Sequence, residues 1–199
     1  AAGRRVLREA VRVYAGAAVA EEVSGRARLW PKARRALATV VFTDARGFTA
    51  WSETRTPEEV AAGLNRYFAE LAAAVVRHGG EVNKYAGDAM LALFLEETGE
   101  DHARRAVAAV REMLGVEGPL RTSAGIHTGH VVLGAVGSGD KLEYTALGDA
   151  VNVAARLESL NRETGTRVLL SDTARAAAGL TARAAGGFVG KGRLAPVAS

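Results

Sequence analysis

The sequence predicts an α+β fold: a ferredoxin-like βαββαβ core with additional C-terminal α/β elements, preceded by an N-terminal helix. Three observations carry that prediction. Short apolar runs alternate with two amphipathic stretches in the order strand, helix, strand, strand, helix, strand, which is the ferredoxin-like unit. Pro57 opens the first long helix, Gly79-Gly80 follows its end, and Ala86-Gly87-Asp88 separates the next two strands. The chain has 199 residues, 48% hydrophobic and 24% charged, enough for one domain with a full core.

Taken in order, Arg4 to about Ser24 reads as helix, with Val6, Ala10, Val13, Ala17 and Ala20 at alternating spacings of four and three. Alanine at most of these positions buries little area, so the seam is either a weak dimer contact or a face packed on its own domain. Trp30-Pro31 breaks the pattern, because proline disfavours helix at the residue before it. Residues 1–36 are accordingly read as a helix and linker, a candidate signal-transducing element, and residues 37–199 as the main domain.

Leu37 to Phe42 is an apolar run suited to a buried strand that stops at Thr43-Asp44. Pro57 to His78 follows as a long helix with proline in its first turn and Gly79-Gly80 after its end. Glu81 to Tyr85 and Ala89 to Leu95 read as a hairpin turning at Ala86-Gly87-Asp88. A second helix near Glu100 to Leu114 leads to a strand pair around Leu120 to His127 and Val131 to Val136. Beyond lie a hairpin near Asp140, a helix from Asp149 to about Asn161, a strand at Arg167 to Leu170, a short helix and a closing strand pair.

Composition excludes several function classes. Without Cys there is no disulfide framework and no thiolate metal site, which leaves carboxylates and hard cations. No stretch approaches the roughly 20 apolar residues of a membrane span, and the Arg-rich start lacks a signal peptide's apolar core. A soluble, cytoplasmic domain without membrane contact is expected. The net charge of +4 comes from Arg scattered among Ala and Gly, not from a basic run interleaved with aromatics, so nucleic acid is not an expected partner.

Two carboxylates should meet at one edge of the sheet. Asp44 ends the first strand, and Asp88 sits in the turn of a hairpin expected beside it. Close anions disfavour each other's ionisation, so such a pair either binds a cation or holds a proton. Mg²⁺ or Mn²⁺ held by paired carboxylates and substrate phosphates is the usual arrangement for phosphoryl transfer. Taken singly, Asp44 reads as a helix cap and Asp88 as a turn former. Between them, Gly47, Phe48 and Thr49 open a short turn whose backbone N–H groups could cradle phosphate oxygens. Further on, Asn152 and Arg156 lie four residues apart on one helical face, continued by Ser159 and Glu163, opposite an apolar stripe of Val153, Leu157 and Leu160. By periodicity alone that face is a solvated one.

Four segments change that weighting: FTDARGFT at Phe42 to Thr49, NKYAGD at Asn83 to Asp88, GIHTGH at Gly125 to His130, and YTALGDAVNVAARLE at Tyr144 to Glu158. In order and spacing they resemble the signature segments of class III adenylyl and guanylyl cyclase domains, over about Leu37 to Val197. The resemblance implies a head-to-tail homodimer with two shared active sites that convert ATP to 3′,5′-cyclic AMP and pyrophosphate with two divalent metal ions, Mg²⁺ or Mn²⁺. It implies metal binding by Asp44, Asp88 and the backbone carbonyl of Ala45. Lys84 and Thr145 resemble the purine-selecting pair, and Asn152 and Arg156 the pair that orients the ribose and offsets charge at the α-phosphate. Lys191, in GKGRLAPV, resembles the residue that holds the terminal phosphates.

Adenine presents an acceptor at N1 and a donor at its amino group, which a Lys donor and a Thr acceptor satisfy. Guanine would leave Lys84 facing an N–H, an unpaired contact costing about 1 to 3 kcal/mol. The family's guanylyl cyclases carry an acidic residue where Lys84 stands, so ATP is the expected substrate and a guanylyl cyclase the nearest alternative. Thr145 in place of Asp resembles a subclass with bicarbonate-responsive members. His130 departs from the Arg of many relatives, and the segment from Arg12 to Glu22 resembles the transducing helix ahead of cyclase domains in larger sensors, so N-terminal sensory or membrane regions are expected. A catalytically silent dimerisation module is the remaining alternative; the competent side chains at Asp44, Asp88, Lys84, Asn152 and Arg156 argue against it. A diguanylate cyclase is disfavoured because no GGDEF-type turn is present.

Overall fold

A computed structural model describes residues 32–138, 141–181, 187–189 and 196–198. The N-terminal helix expected at 4–24 and Lys191 lie outside the described residues. The elements run β1 (Arg34–Arg46), α1 (Phe48–Ser52), α2 (Pro57–Arg77), β2 (Glu81–Ala86), β3 (Ala89–Leu95), a 3₁₀ turn (Glu96–Thr98), α3 (His102–Leu114), β4 (Arg121–Ser138), β5 (Lys141–Leu147), α4 (Asp149–Thr164), β6 (Val168–Leu170), α5 (Asp172–Ala177), β7 (Gly187–Val189) and β8 (Pro196–Ala198). The main sheet has the order β2-β3-β1-β4-β5, with β6 pairing parallel to β4, and β7 and β8 form a separate antiparallel pair. Strands β1 to β4 are antiparallel throughout, as the ferredoxin-like unit requires.

Local chemistry starts the elements. Thr56 caps α2 by accepting from the Glu59 amide while the Glu59 side chain accepts from the Thr56 amide, and Pro57 occupies the first turn. The helix buries Tyr67, Phe68, Leu71, Ala74 and Val75, a stripe at helical spacing, against the sheet. Alternation along β1 splits the core. Val41 and Ala45 face α2 and α3, whereas Ala38 and Val40 face Ala150 and Ala154 of α4.

Two expectations need correction. β1 continues past Thr43-Asp44 to Arg46, because its pairing with β4 runs from Arg34↔Leu133 to Arg46↔Arg121. The strand pair expected between Leu120 and Val136 is one strand, β4, in which Leu37↔His130, Ala38↔Gly129 and Thr39↔Thr128 keep the ladder unbroken. Gly129 is therefore not a turn residue: a Cβ there would stand 3.1 Å from the Ala150 Cβ, so glycine serves helix approach. Gly125 does so more severely, since a Cβ would fall 2.1 Å from the Ala154 carbonyl oxygen and 2.4 Å from the Glu158 nitrogen. These glycines let α4 lie directly on β4 and so fix the height of its polar residues over the sheet.

Candidate active site

The site is built around the α4-facing side of β1. β1 pairs with β3 as far as Thr43↔Met90, so Asp44 lies just beyond the end of that ladder, beside the Gly87-Asp88 turn. Gly87 takes φ 64°, the left-handed conformation that makes so tight a reversal easy. Asp44 is half-buried and its carboxyl is pushed up to about 6, first by burial, then by the Asp88 and Glu158 carboxylates, against the opposing pull of Arg162 and Arg46. A polar hollow of about 350 Å³ opens here, lined by Asp44, Arg46, Glu158, Ser159, Arg162 and Glu163. A slightly larger hollow of about 370 Å³, beside Trp51, Arg66 and Glu70, touches neither aspartate. Chemistry, not size, places the candidate site at the first.

A divalent cation fits the carboxylate pair on its electrostatics, since positive charge beside Asp44 would offset the burial and the neighbouring carboxylates that raise its carboxyl. Among the described residues, no group of three or more His, Cys, Asp or Glu side chains is placed to hold a metal ion. Two carboxylates leave most of a Mg²⁺ shell to water, backbone oxygen and ligand phosphate, a division normal for that ion. Ala45 follows Asp44 where β1 pairs with β4 alone, the β3 ladder having ended, so its backbone has one strand partner instead of two.

The turn at 47–49 differs from a simple cradle. Gly47 has φ 83° and open space around it, and Thr49 is exposed. The Phe48 ring instead packs on the core, 6.0 Å from the Trp51 ring. The Phe48 side chain stays partly exposed.

The expected purine pair lies where the outer strands β2 and β5 approach each other. Lys84 on β2 pairs with Glu143 on β5 at 3.4 Å. Thr145 is buried, 3% exposed, and its hydroxyl donates to the Asn83 side-chain oxygen at 3.1 Å. On α4, Asn152 is exposed and Arg156 partly buried, and the Arg156 Nη1 is buried without a hydrogen-bond partner. Such an atom is rare and costly, and an arriving anion would satisfy it. Among the described residues no hydrogen bond or ion pair joins Asn152 or Arg156 to Asp44 or Asp88; Glu158 and Arg162 are the α4 charges that act on Asp44.

The sequence model for the adenylate and guanylate cyclase catalytic domain matches residues 31–184. The chain belongs to that family. Adenylate cyclase 1 of Rhizobium meliloti is 41% identical over 146 residues, 67% of this chain and 22% of the relative. The adenylate cyclase of Anabaena cylindrica is 37% identical over 148 residues, and the chain spans 29% of it, so less than a third of either relative is covered. Among solved structures, the adenylyl cyclase CyaB from P. aeruginosa superposes with TM-score 0.74 at 28% identity, over 84% of this chain and 94% of that one. A guanylyl cyclase structure superposes with TM-score 0.71 at 35% identity, over 83% and 90%.

Three residues of this cyclase domain escaped the sequence reading. Glu158 is buried and accepts from the Ser123 hydroxyl at 2.7 Å, which holds its carboxyl group near Asp44. Its signal was its place on the buried stripe Ala150, Ala154, Glu158, Asn161, where a carboxylate is out of pattern. Asn83 and Glu143 carried no such signal, because both act across strands far apart in sequence.

Proposed function

We propose that this cyclase domain converts ATP to 3′,5′-cyclic AMP and pyrophosphate at sites shared between two copies of the chain arranged head to tail. The observation that carries the reading is a pair of unfinished electrostatic halves: a carboxylate pair short of positive charge at Asp44 and Asp88, and a buried Arg156 nitrogen short of an anion, with no contact between them in one chain. A second copy brings one half to the other. Exposed Val132 and Leu147, register partners on β4 and β5, and nearby Val136 supply apolar surface for such a contact.

In this reading Asp44, Asp88 and the Ala45 carbonyl hold two divalent ions, Mg²⁺ or Mn²⁺, which would lower the cost of forming the ribose 3′ oxyanion and of releasing pyrophosphate. Asn152 orients the ribose. Arg156 donates to the α-phosphate oxygens, where its planar, permanently charged group follows the geometry of the transition state. The backbone at 47–49 and Lys191 hold the outer phosphates. Lys84 donates to adenine N1 after leaving Glu143, a half-exposed pair whose loss costs at most about 1 kcal/mol. The segment ahead of β1 serves as a transducing element from N-terminal sensory or membrane regions; that less than a third of the two relatives is covered supports a longer protein.

Guanylyl cyclase activity is the second reading, favoured by the 35% identity to a guanylyl cyclase structure. Lys84 argues for ATP. The test is turnover of the purified chain at high protein concentration with Mn²⁺, on ATP and on GTP, using Asp44→Ala, Asn152→Ala and their mixture. Each variant should be inactive alone, and the mixture should recover about a quarter of parent activity, since half the dimers are mixed and each keeps one of two sites. Absence of recovery would defeat the shared site. Binding of nucleotide without turnover of either would favour a regulatory module.

A further inference from the structure

We infer that Asn83 is a positioning residue for purine choice, which it sets by fixing the direction in which the Thr145 hydroxyl donates. This rests on the reading of Thr145 as a purine contact. The Ala146 backbone N–H lies 3.2 Å from the Asn83 side-chain Oδ1. A main-chain amide can only donate, so the atom facing it has to be the carboxamide oxygen, and the Asn83 amide has one allowed orientation. The Thr145 Oγ1 sits 3.1 Å from that same oxygen. An amide oxygen only accepts, so Thr145 spends its single hydrogen there.

What remains on the Thr145 oxygen is lone pairs. A free threonine hydroxyl rotates to donate or accept as the ligand requires, whereas this one offers acceptor capacity alone. The adenine amino group donates and is matched; guanine presents a carbonyl oxygen at the same ring position and meets like polarity. Lys84, the residue after Asn83, and Glu143, two before Thr145, face each other at 3.4 Å, so the constraint lies where β2 and β5 approach, beside the residue expected at N1. Asn83 also links β2 to β5, the two outermost strands of the sheet, and a purely mechanical staple would weaken all nucleotides alike.

The experiment compares kcat/KM for ATP, GTP and purine riboside triphosphate, which lacks the amino group, in the parent, Asn83→Leu, Asn83→Asp and Thr145→Val. Asn83→Leu should lower ATP turnover about tenfold, the size of one misdirected hydrogen bond, and reduce the ATP to GTP ratio similarly. Purine riboside triphosphate should change less than about twofold. Asn83→Asp, which keeps the acceptor oxygens, should retain the parent's preference. Equal losses on ATP and purine riboside triphosphate in Asn83→Leu would overturn the inference and leave the staple. Should Thr145→Val fail to separate those two nucleotides, the purine reading of Thr145 falls and this inference with it. Asn83→Ser replaces Asn83→Leu if the latter does not fold, and competition binding of the same nucleotides reads the comparison without turnover.

Discussion

Strand β1 carries two polar groupings on opposite faces, and they are satisfied in opposite ways. On the α3 side, fully buried Thr39 places its hydroxyl 2.9 Å from the His102 Nδ1 and 2.7 Å from the Thr128 hydroxyl, a closed cluster in which each group has a partner. Burial pushes His102 below its ordinary value, so the cluster holds a neutral ring. On the α4 side, Asp44 faces Asp88 and Glu158 with its carboxyl pushed up to about 6, while Arg156 keeps a buried nitrogen unpartnered. Thr39 and Asp44 hang from the same strand, one on each face. A closed polar cluster contributes registry and stability; an open one holds interaction energy for something not in the chain.

That contrast can be broken by substitution. The largest effect should come from Arg156→Met: turnover falls about a hundredfold or more, while the melting temperature holds or rises because an unpartnered buried nitrogen is removed. Paired loss of activity and stability would place Arg156 among the closed groups. Thr39→Val should do the reverse, costing about 1 to 3 kcal/mol in urea unfolding by leaving His102 and Thr128 without their shared partner, with turnover per folded molecule unchanged.

A third, smaller effect depends on pH. With the Asp44 carboxyl raised from 3.8 to about 6, the folded domain holds a proton that the unfolded chain releases earlier. The associated stability is complete below about pH 4 and lost as pH rises through 6. In metal-free buffer, Asp44→Asn should therefore match the parent near pH 4 and melt higher at pH 8, by on the order of 1 kcal/mol given the group's exposure. Mn²⁺ should narrow the gap at pH 8 by stabilising the parent alone; an equal shift in both would argue against cation binding at Asp44. His102 titrates the other way: its lowered value makes the domain lose stability as pH falls below 6.5. The smallest change belongs to Glu143→Gln, where the half-exposed pair with Lys84 predicts less than about 1 kcal/mol in thermal unfolding.

Much of this arrangement was legible in the chain. Pro57 in the first turn of α2, the Gly-Asp turn before β3 and the stripe of α4 are local patterns, and local patterns survive folding. The length of β4 was not legible, because Thr128-Gly129-His130 carries turn-like composition and only its pairing with Leu37 to Thr39 keeps it extended. Phe48 was read as part of a phosphate turn, yet its ring has apolar area to bury and Trp51 and the core to bury it against. Glu158 was legible as an out-of-pattern carboxylate on a buried stripe, although its partner Ser123 lies 35 residues away.

Read alone, the chain specified the ferredoxin-like core, the family and the identities of the residues expected to act. Each of these follows from short-range periodicity, turn chemistry or signature segments. Folding is what sets Asp44 among carboxylates, leaves a nitrogen of Arg156 unpaired, and lets Asn83 reach from β2 to Thr145 on β5. Burial, charge proximity and hydrogen-bond direction are properties of pairs, and these pairs exist only once strands distant in sequence lie side by side.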